Sequence, residues 1–222
     1  MLFKVPEVFD YSTYYRGISL VLWIITISVC FIGALLFIIK ANKMELKSQK
    51  WLYLGYGIFF IFFSLMRIFY IVAVYIPENY DFYTSLGYVA GSIGLIFWLY
   101  VLETQMIKST KGIFVAISIV MFAVAVIGLT GIIERELALN IINITIPFSI
   151  SVVFFMYMYI AIKGTGEVRK KAIWLIVGLL LIMLGHVMDS EFWAGSFPDF
   201  PYEIPPIIML IGLLIFLVTQ LL

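Results

Sequence analysis

The chain has 222 residues, of which 64% are hydrophobic and only 12% charged, and its formal net charge is +1. Soluble domains run near 45–50% apolar and about 25% charged, so the composition excludes a fold whose side chains are mostly solvated by water. Lipid is the expected solvent, and no nucleic-acid partner is expected.

Seven apolar runs mark the chain in order: 18–39, 51–76, 82–107, 113–131, 137–162, 172–188 and 204–222. They are apolar all round and lack the alternation of a membrane β-strand, so the expected fold is all-α. It is a single seven-transmembrane-helix bundle over 1–222. The lead into the first run carries Tyr11, Tyr14, Tyr15 and Arg16, a set suited to the membrane interface. That run is too long for a signal peptide and its strongest basic cluster follows it, so it is expected to stay in the mature protein. Cys30 within it is the chain's one cysteine, which excludes an intrachain disulfide and reads as buried filler.

Charge sets the expected orientation. The first, third and fifth joints hold Lys40, Lys43, Lys47, Lys50, Lys108, Lys111, Lys163, Arg169, Lys170 and Lys171, whereas the other side holds Lys4, Arg16 and Arg135. By the positive-inside rule the basic joints are cytoplasmic, with the N-terminus outside and the C-terminus inside a plasma membrane. Acidic residues mirror this: Glu78, Asp81, Glu134, Asp189 and Glu203 sit at the expected outer ends. The order of joints also suggests a 3+1+3 grouping of helices, with the fourth left over.

The second run alone carries a full charge deep within it, Arg67. At 1.5 Å per residue the run spans ~39 Å, and an arginine at such depth costs about 2.5–3.5 kcal/mol on insertion scales, so it must face protein or water. Ser64 and Tyr70 share its helical face. Arg67 lies 17 residues after Lys50 and Asp189 lies 18 after Lys171. That common height makes the two a candidate ion pair, with His186 on the face of Asp189. Gly178 and Gly185 let a neighbouring backbone approach that helix. Asn140, Asn143, Pro147 and Ser151 form a polar stripe on the fifth run, with the proline freeing a backbone carbonyl. Arg67, His186, Asp189, Ser64, Tyr70 and Asn143 are therefore the candidate ligand or ion-pair residues, lining a cavity that opens outward. The bland alternative is a polar lock between two helices.

The remaining signals concern packing and partners. Gly87, Ala90, Gly91 and Gly94 give the third run a small-residue face. Glu103, near Lys108 and Lys111, pairs with Arg169 in a candidate cytoplasmic latch, the alternative being a solvated helix end. The proline-rich, acidic and aromatic stretch 189–206 suits a cationic ligand or a partner's basic surface.

Catalytic readings fall by subtraction. One histidine and one cysteine cannot supply a bis-histidine haem or a three-histidine zinc site. The last run has no lysine for a retinal Schiff base, and Ser92 lies too deep to meet His186 as a dyad. Asn143-Ile-Thr145 matches a glycosylation sequon but falls inside a helix. No enzyme activity, metal or cofactor is expected.

Arg67-Ile-Phe-Tyr70, Glu103 with Lys108-Ser-Thr-Lys111, Gly166-Glu-Val-Arg-Lys-Lys-Ala172 and Gly185-His-Val-Met-Asp189 resemble features of uncharacterised archaeal seven-helix membrane proteins. More loosely, they resemble the seven-helix sensor regions of membrane histidine kinases. The resemblance implies an outward-facing sensor that transmits to a cytoplasmic output. This sequence departs from it by stopping at Thr219-Gln-Leu-Leu222, inside the last run. The expectation is a cut chain or a signalling partner docking on Lys163, Arg169, Lys170 and Lys171. The expectation is a receptor-like or sensory membrane protein binding a small ligand or lipid in an outward-facing cavity. The alternatives are a small-solute or proton-coupled transporter and a structural subunit of a membrane complex.

Overall fold

The computed structural model describes residues 15–106, 110–190, 193, 196–197 and 199–221; of residues 136, 143 and 147 it describes the backbone only. Expectations on Lys4, Tyr11, Tyr14, Lys108 and Leu222, and on the side chains of Asn143 and Pro147, lie outside the described residues. Among the described residues the chain is helical, with no strand. Its α-helices are α1 (Gly17–Asn42), α2 (Lys47–Tyr75), α3 (Tyr80–Gln105), α4 (Ile113–Leu129), α5 (Arg135–Lys163), α6 (Gly166–Met188) and α7 (Ile204–Leu221), with one 3-10 turn over Pro77–Asn79. Six stretches are long and apolar enough to cross a membrane: Gly17–Asn42, Lys47–Tyr75, Pro77–Gln105, Leu137–Lys163, Gly166–Met188 and Ile204–Leu221. The seventh, α4, is apolar but has 17 residues.

Hydropathy places the apolar part of each helix but not its polar starts. α2 begins at Lys47 and α6 at Gly166, several residues before the apolar runs, because lysine, arginine and glutamate propagate a helix well. α7 opens Ile204-Pro205-Pro206, where the missing proline N–H groups would have had no intrahelical acceptor anyway. α5 stays helical through Pro147, which leaves the Asn143 carbonyl without its usual helical donor.

Lipid as solvent explains a helix such as α1. One face, Ser19, Trp23, Thr26, Cys30, Ala34, Phe37 and Ala41, is buried at helical spacing, while Ile18 and Leu35 on the other are 68% and 61% exposed. In water that second face would be an aggregation patch; in a bilayer it needs no cover.

The chain divides into two compact units, Met1–Val29 with Phe154–Leu222, and Cys30–Val153. The division falls within α1 and α5 and so does not follow a 3+1+3 grouping.

In the 30–153 unit the longest interface joins α2 and α3. The small-residue face of α3 makes it: a Cβ on Gly91 would stand 2.7 Å from the Met66 sulfur and one on Gly94 2.9 Å from the Phe62 Cβ. Toward the α1–α2 joint an aromatic cluster fills the space between helices. Phe37 stacks around Tyr56 at 5.3 Å and Phe60 at 5.5 Å, and Phe59 meets Trp98 at 4.5 Å. Lys40 caps that cluster, its ammonium 5.0 Å from the Tyr53 ring. α4 packs along α3, and Ser118 on α4 donates to the Ser149 hydroxyl on α5 at 3.2 Å, both side chains fully buried.

In the other unit α6 and α7 pack through reciprocal glycines: a Cβ on Gly178 would stand 3.0 Å from the Gly212 carbonyl oxygen, and one on Gly212 2.7 Å from that of Gly178. Gly185 likewise faces the Pro205 carbonyl at 2.9 Å from its would-be Cβ. The Ser19 hydroxyl of α1 donates to the Tyr202 carbonyl at 3.1 Å, and Gln220 on α7 donates to the Tyr157 hydroxyl on α5 at 3.1 Å.

Candidate functional site

Arg67 is 1% exposed, the largest fully buried charged side chain among the described residues. Helical spacing sets its immediate surroundings. Phe63, one turn before it, places its ring centroid 5.2 Å from the guanidinium carbon, and Tyr70, almost one turn after, places its own at 5.6 Å. Two ring faces against a guanidinium contribute about 0.5–2 kcal/mol each, together comparable with the cost of the depth. The Tyr70 ring can lie there because α3 offers Gly87 opposite it; any side chain at Gly87 would run into that ring. Tyr88 closes the other side, edge-on to Tyr70 at 5.6 Å.

Polar groups gather on the same face. Ser64, three residues before Arg67, is fully buried and donates its hydroxyl to the Phe60 carbonyl at 2.9 Å. Its oxygen still carries lone pairs, and the buried Cys30 thiol of α1 meets this hydroxyl and lies in the field of Arg67. The result is a cation against two aromatic rings, with a buried hydroxyl and thiol on the same side. Such an arrangement suits a carboxylate, phosphate or carbonyl group, which the planar guanidinium binds with paired hydrogen bonds.

Glu103 is used differently. It is 4% exposed, and its carboxylate accepts from the backbone N–H groups of Phe114 at 3.2 Å and Val115 at 2.9 Å. Lys111 and Gly112 with positive φ turn the chain so that α4 presents its first amides to that carboxylate. An anion there meets both the unsatisfied N–H groups and the positive end of the helix dipole. Arg169, its expected latch partner, lies exposed near the start of α6 in the other unit.

His186 and Asp189 sit together at the end of α6, both half-buried. The buried Tyr15 hydroxyl donates to the Asp189 carboxylate, 3.5 Å from each oxygen, and the Tyr15 ring tilts against Trp23 at 5.9 Å. Arg67, Ser64 and Tyr70 thus share one face in the 30–153 unit, whereas His186 and Asp189 belong to the other unit. Asn143 contributes its backbone to α5. Lys163, Arg169, Lys170 and Lys171 are all exposed.

Sequence reasoning missed three members of these sites. Phe63 could have been found from its four-residue spacing to Arg67. Cys30 and Tyr15 could not, because their partners are remote in the chain and neither residue type announces one.

Comparison with family models, with curated proteins and with solved structures finds no match to this chain.

Proposed function

We propose that this chain is a receptor-like integral membrane protein of the plasma membrane that binds a small ligand or lipid beside Arg67. It crosses the bilayer seven times, N-terminus outside and C-terminus inside, and does no chemistry of its own. The observation that carries the reading is the fully buried guanidinium set between Phe63 and Tyr70 with Ser64 at its side. A purely apolar helix would cross at lower cost, so a charge held at this depth is by default a functional one.

The short α4 fits the seven-span reading. It starts at Glu103 of α3 and reaches Gly128 beside Ser85 and Tyr88 of the same helix, so it runs antiparallel along about 27 Å of α3 at 1.5 Å per residue, close to the hydrocarbon thickness. Ligand binding at Arg67 would bias the packing of α2 against α1 and α3, and the exposed Lys163, Arg169, Lys170 and Lys171 would present the output to a cytoplasmic signalling partner.

The test is thermal stability of the purified protein and of Arg67→Met across a panel of carboxylates, phosphates and lipids. A compound present at about one hundred times its Kd should stabilise the native form by about 2.7 kcal/mol, and Arg67→Met should lose that gain while still folding. If Arg67→Met is as stable as the native protein and no compound shifts either, the binding reading falls.

A further inference from the structure

The joint between α5 and α6 gathers positive charge without a matching supply of acid. Residues 154–188 carry Lys163, Arg169, Lys170 and Lys171 against one acid, Glu167. Glu167 meets Lys170 at 3.3 Å with both side chains widely exposed, a pair that contributes little. Lys163, Arg169 and Lys171 are exposed as well. Gly164 and Thr165 alone separate the end of α5 from the start of α6. Gly164 sits against the opening of α6, where its would-be Cβ stands 3.5 Å from the Arg169 nitrogen, and this keeps Lys163 near the cations of α6. The apolar run 172–188 begins directly after Lys171. Arg169, Lys170 and Lys171 therefore occupy the ~5 Å of helix just outside the hydrocarbon, the level of lipid headgroups. Next to them on the apolar side, Ile173 and Trp174 of α6 and Tyr159 of α5 are exposed, the aromatic layer expected at a membrane interface.

We propose that this basic collar recruits anionic phospholipids around α6, their phosphates held by Arg169, Lys171 and Lys163. The arrangement of the cations selects this occupant. Arg169, Lys170 and Lys171 are consecutive, so they project about 100° apart and cover roughly 200° of the helix circumference. The remaining arc carries Ala172 and Leu175, both buried, so the collar spans the side of α6 that packs on no other part of the protein. A protein partner meets one face of a helix, whereas lipid surrounds every face left open to it. Side-chain chemistry agrees with the depth. The apolar stems of lysine and arginine lie along lipid while their heads reach the phosphates, and the planar guanidinium of Arg169 takes a phosphate with paired hydrogen bonds. Each lysine or arginine near an anionic membrane surface favours it about fivefold.

The proposal rests on the membrane-spanning reading of α5 and α6 and not on a ligand at Arg67; a cytoplasmic partner docking on the same residues would have to displace these lipids. Trp174 is the reporter. The full-length protein is reconstituted into phosphatidylcholine vesicles doped with brominated phosphatidylglycerol or brominated phosphatidylcholine, and the quenching due to Trp174 is taken as the difference from Trp174→Phe. In the native protein brominated phosphatidylglycerol should occupy the site about fivefold more readily than brominated phosphatidylcholine. Raising salt to 1 M shortens the screening length to about 3 Å and should remove most of that preference with no change of sequence. The triple change Arg169→Gln, Lys170→Gln and Lys171→Gln should abolish it, while Arg169→Lys, Lys170→Arg and Lys171→Arg together should keep it. Equal quenching by the two lipids in the native protein overturns the proposal and leaves the spanning reading intact. A preference that survives the glutamine changes overturns it too, as does one that inorganic phosphate removes at matched ionic strength. Quenching by neither lipid overturns it together with the placement of α6 in the bilayer.

Discussion

Glu103 sets the pattern at the scale of single residues. Its carboxylate replaces water at two amides of α4, at a site where water is scarce and an unanswered N–H is costly. Glu103→Ala should therefore cost about 2–3 kcal/mol of stability, the worth of charge-assisted bonds to a helix N-terminus plus the exposed amides left behind. Glu103→Gln, which can still accept one bond, should cost about half as much. Denaturant unfolding in mixed micelles measures both, and a neutral Glu103→Ala would show that the helix start is solvated in solution. The sequence made Glu103 visible as a charge near a helix end and directed attention to lysines and Arg169. Backbone amides have no letter in the alphabet, so the partner that occupies the carboxylate was not legible. Arg67 is the opposite case: its depth alone dictated burial in protein, and its surroundings at 1% exposure follow from helical spacing.

Among elements, the pairing of helices is carried by glycine more than by side-chain volume. Gly178 and Gly212 let the backbones of α6 and α7 touch, with each would-be Cβ at 3.0 Å or less from the other's carbonyl oxygen. In lipid no hydrophobic force drives helices together, so such close approach and its dispersion contacts are what hold the pair. Gly212→Val places branched carbon against backbone that cannot turn aside, so it should destabilise the protein by about 1–3 kcal/mol. Gly131→Ala, at a loop position with open space around it and φ +73°, should cost only about 1–2 kcal/mol of backbone strain. Melting of the two variants side by side checks the ranking; equal loss would mean that α6 and α7 do not depend on contact at Gly212. The small faces of α3 and α6 were legible because glycine is rare enough at helical spacing to be noticed. Gly212, alone among the bulky residues of α7, gave no such pattern.

At the scale of the whole molecule the deciding quantity is which joints share a side of the membrane. The amphipathic logic of α1 and the apolar length of six helices make lipid the solvent, but length does not say which way a helix points. Lysine and arginine do: Lys43, Lys47 and Lys50 flank the start of α2, and Lys163, Arg169, Lys170 and Lys171 flank the start of α6, whereas Glu78, Glu134 and Glu203 mark joints two, four and six. On the proposed seven crossings, the basic joints before α2 and α6 would lie on the cytoplasmic side and all three acidic joints outside. If α4 failed to cross, joints two and four would lie on opposite sides. A cysteine scan on a Cys30→Ala background separates these cases. Cysteines at Glu78, Glu134 and Glu203 should all react with an impermeant maleimide on intact cells, while cysteines at Ser48 and Thr165 should react only after the membrane is opened. Labelling of Glu78 without Glu134 would reduce the count to six spans and remove the antiparallel run of α4 beside α3 as a membrane crossing. Labelling of Ser48 from outside would invert the protein, and with it the side from which any ligand reaches Arg67.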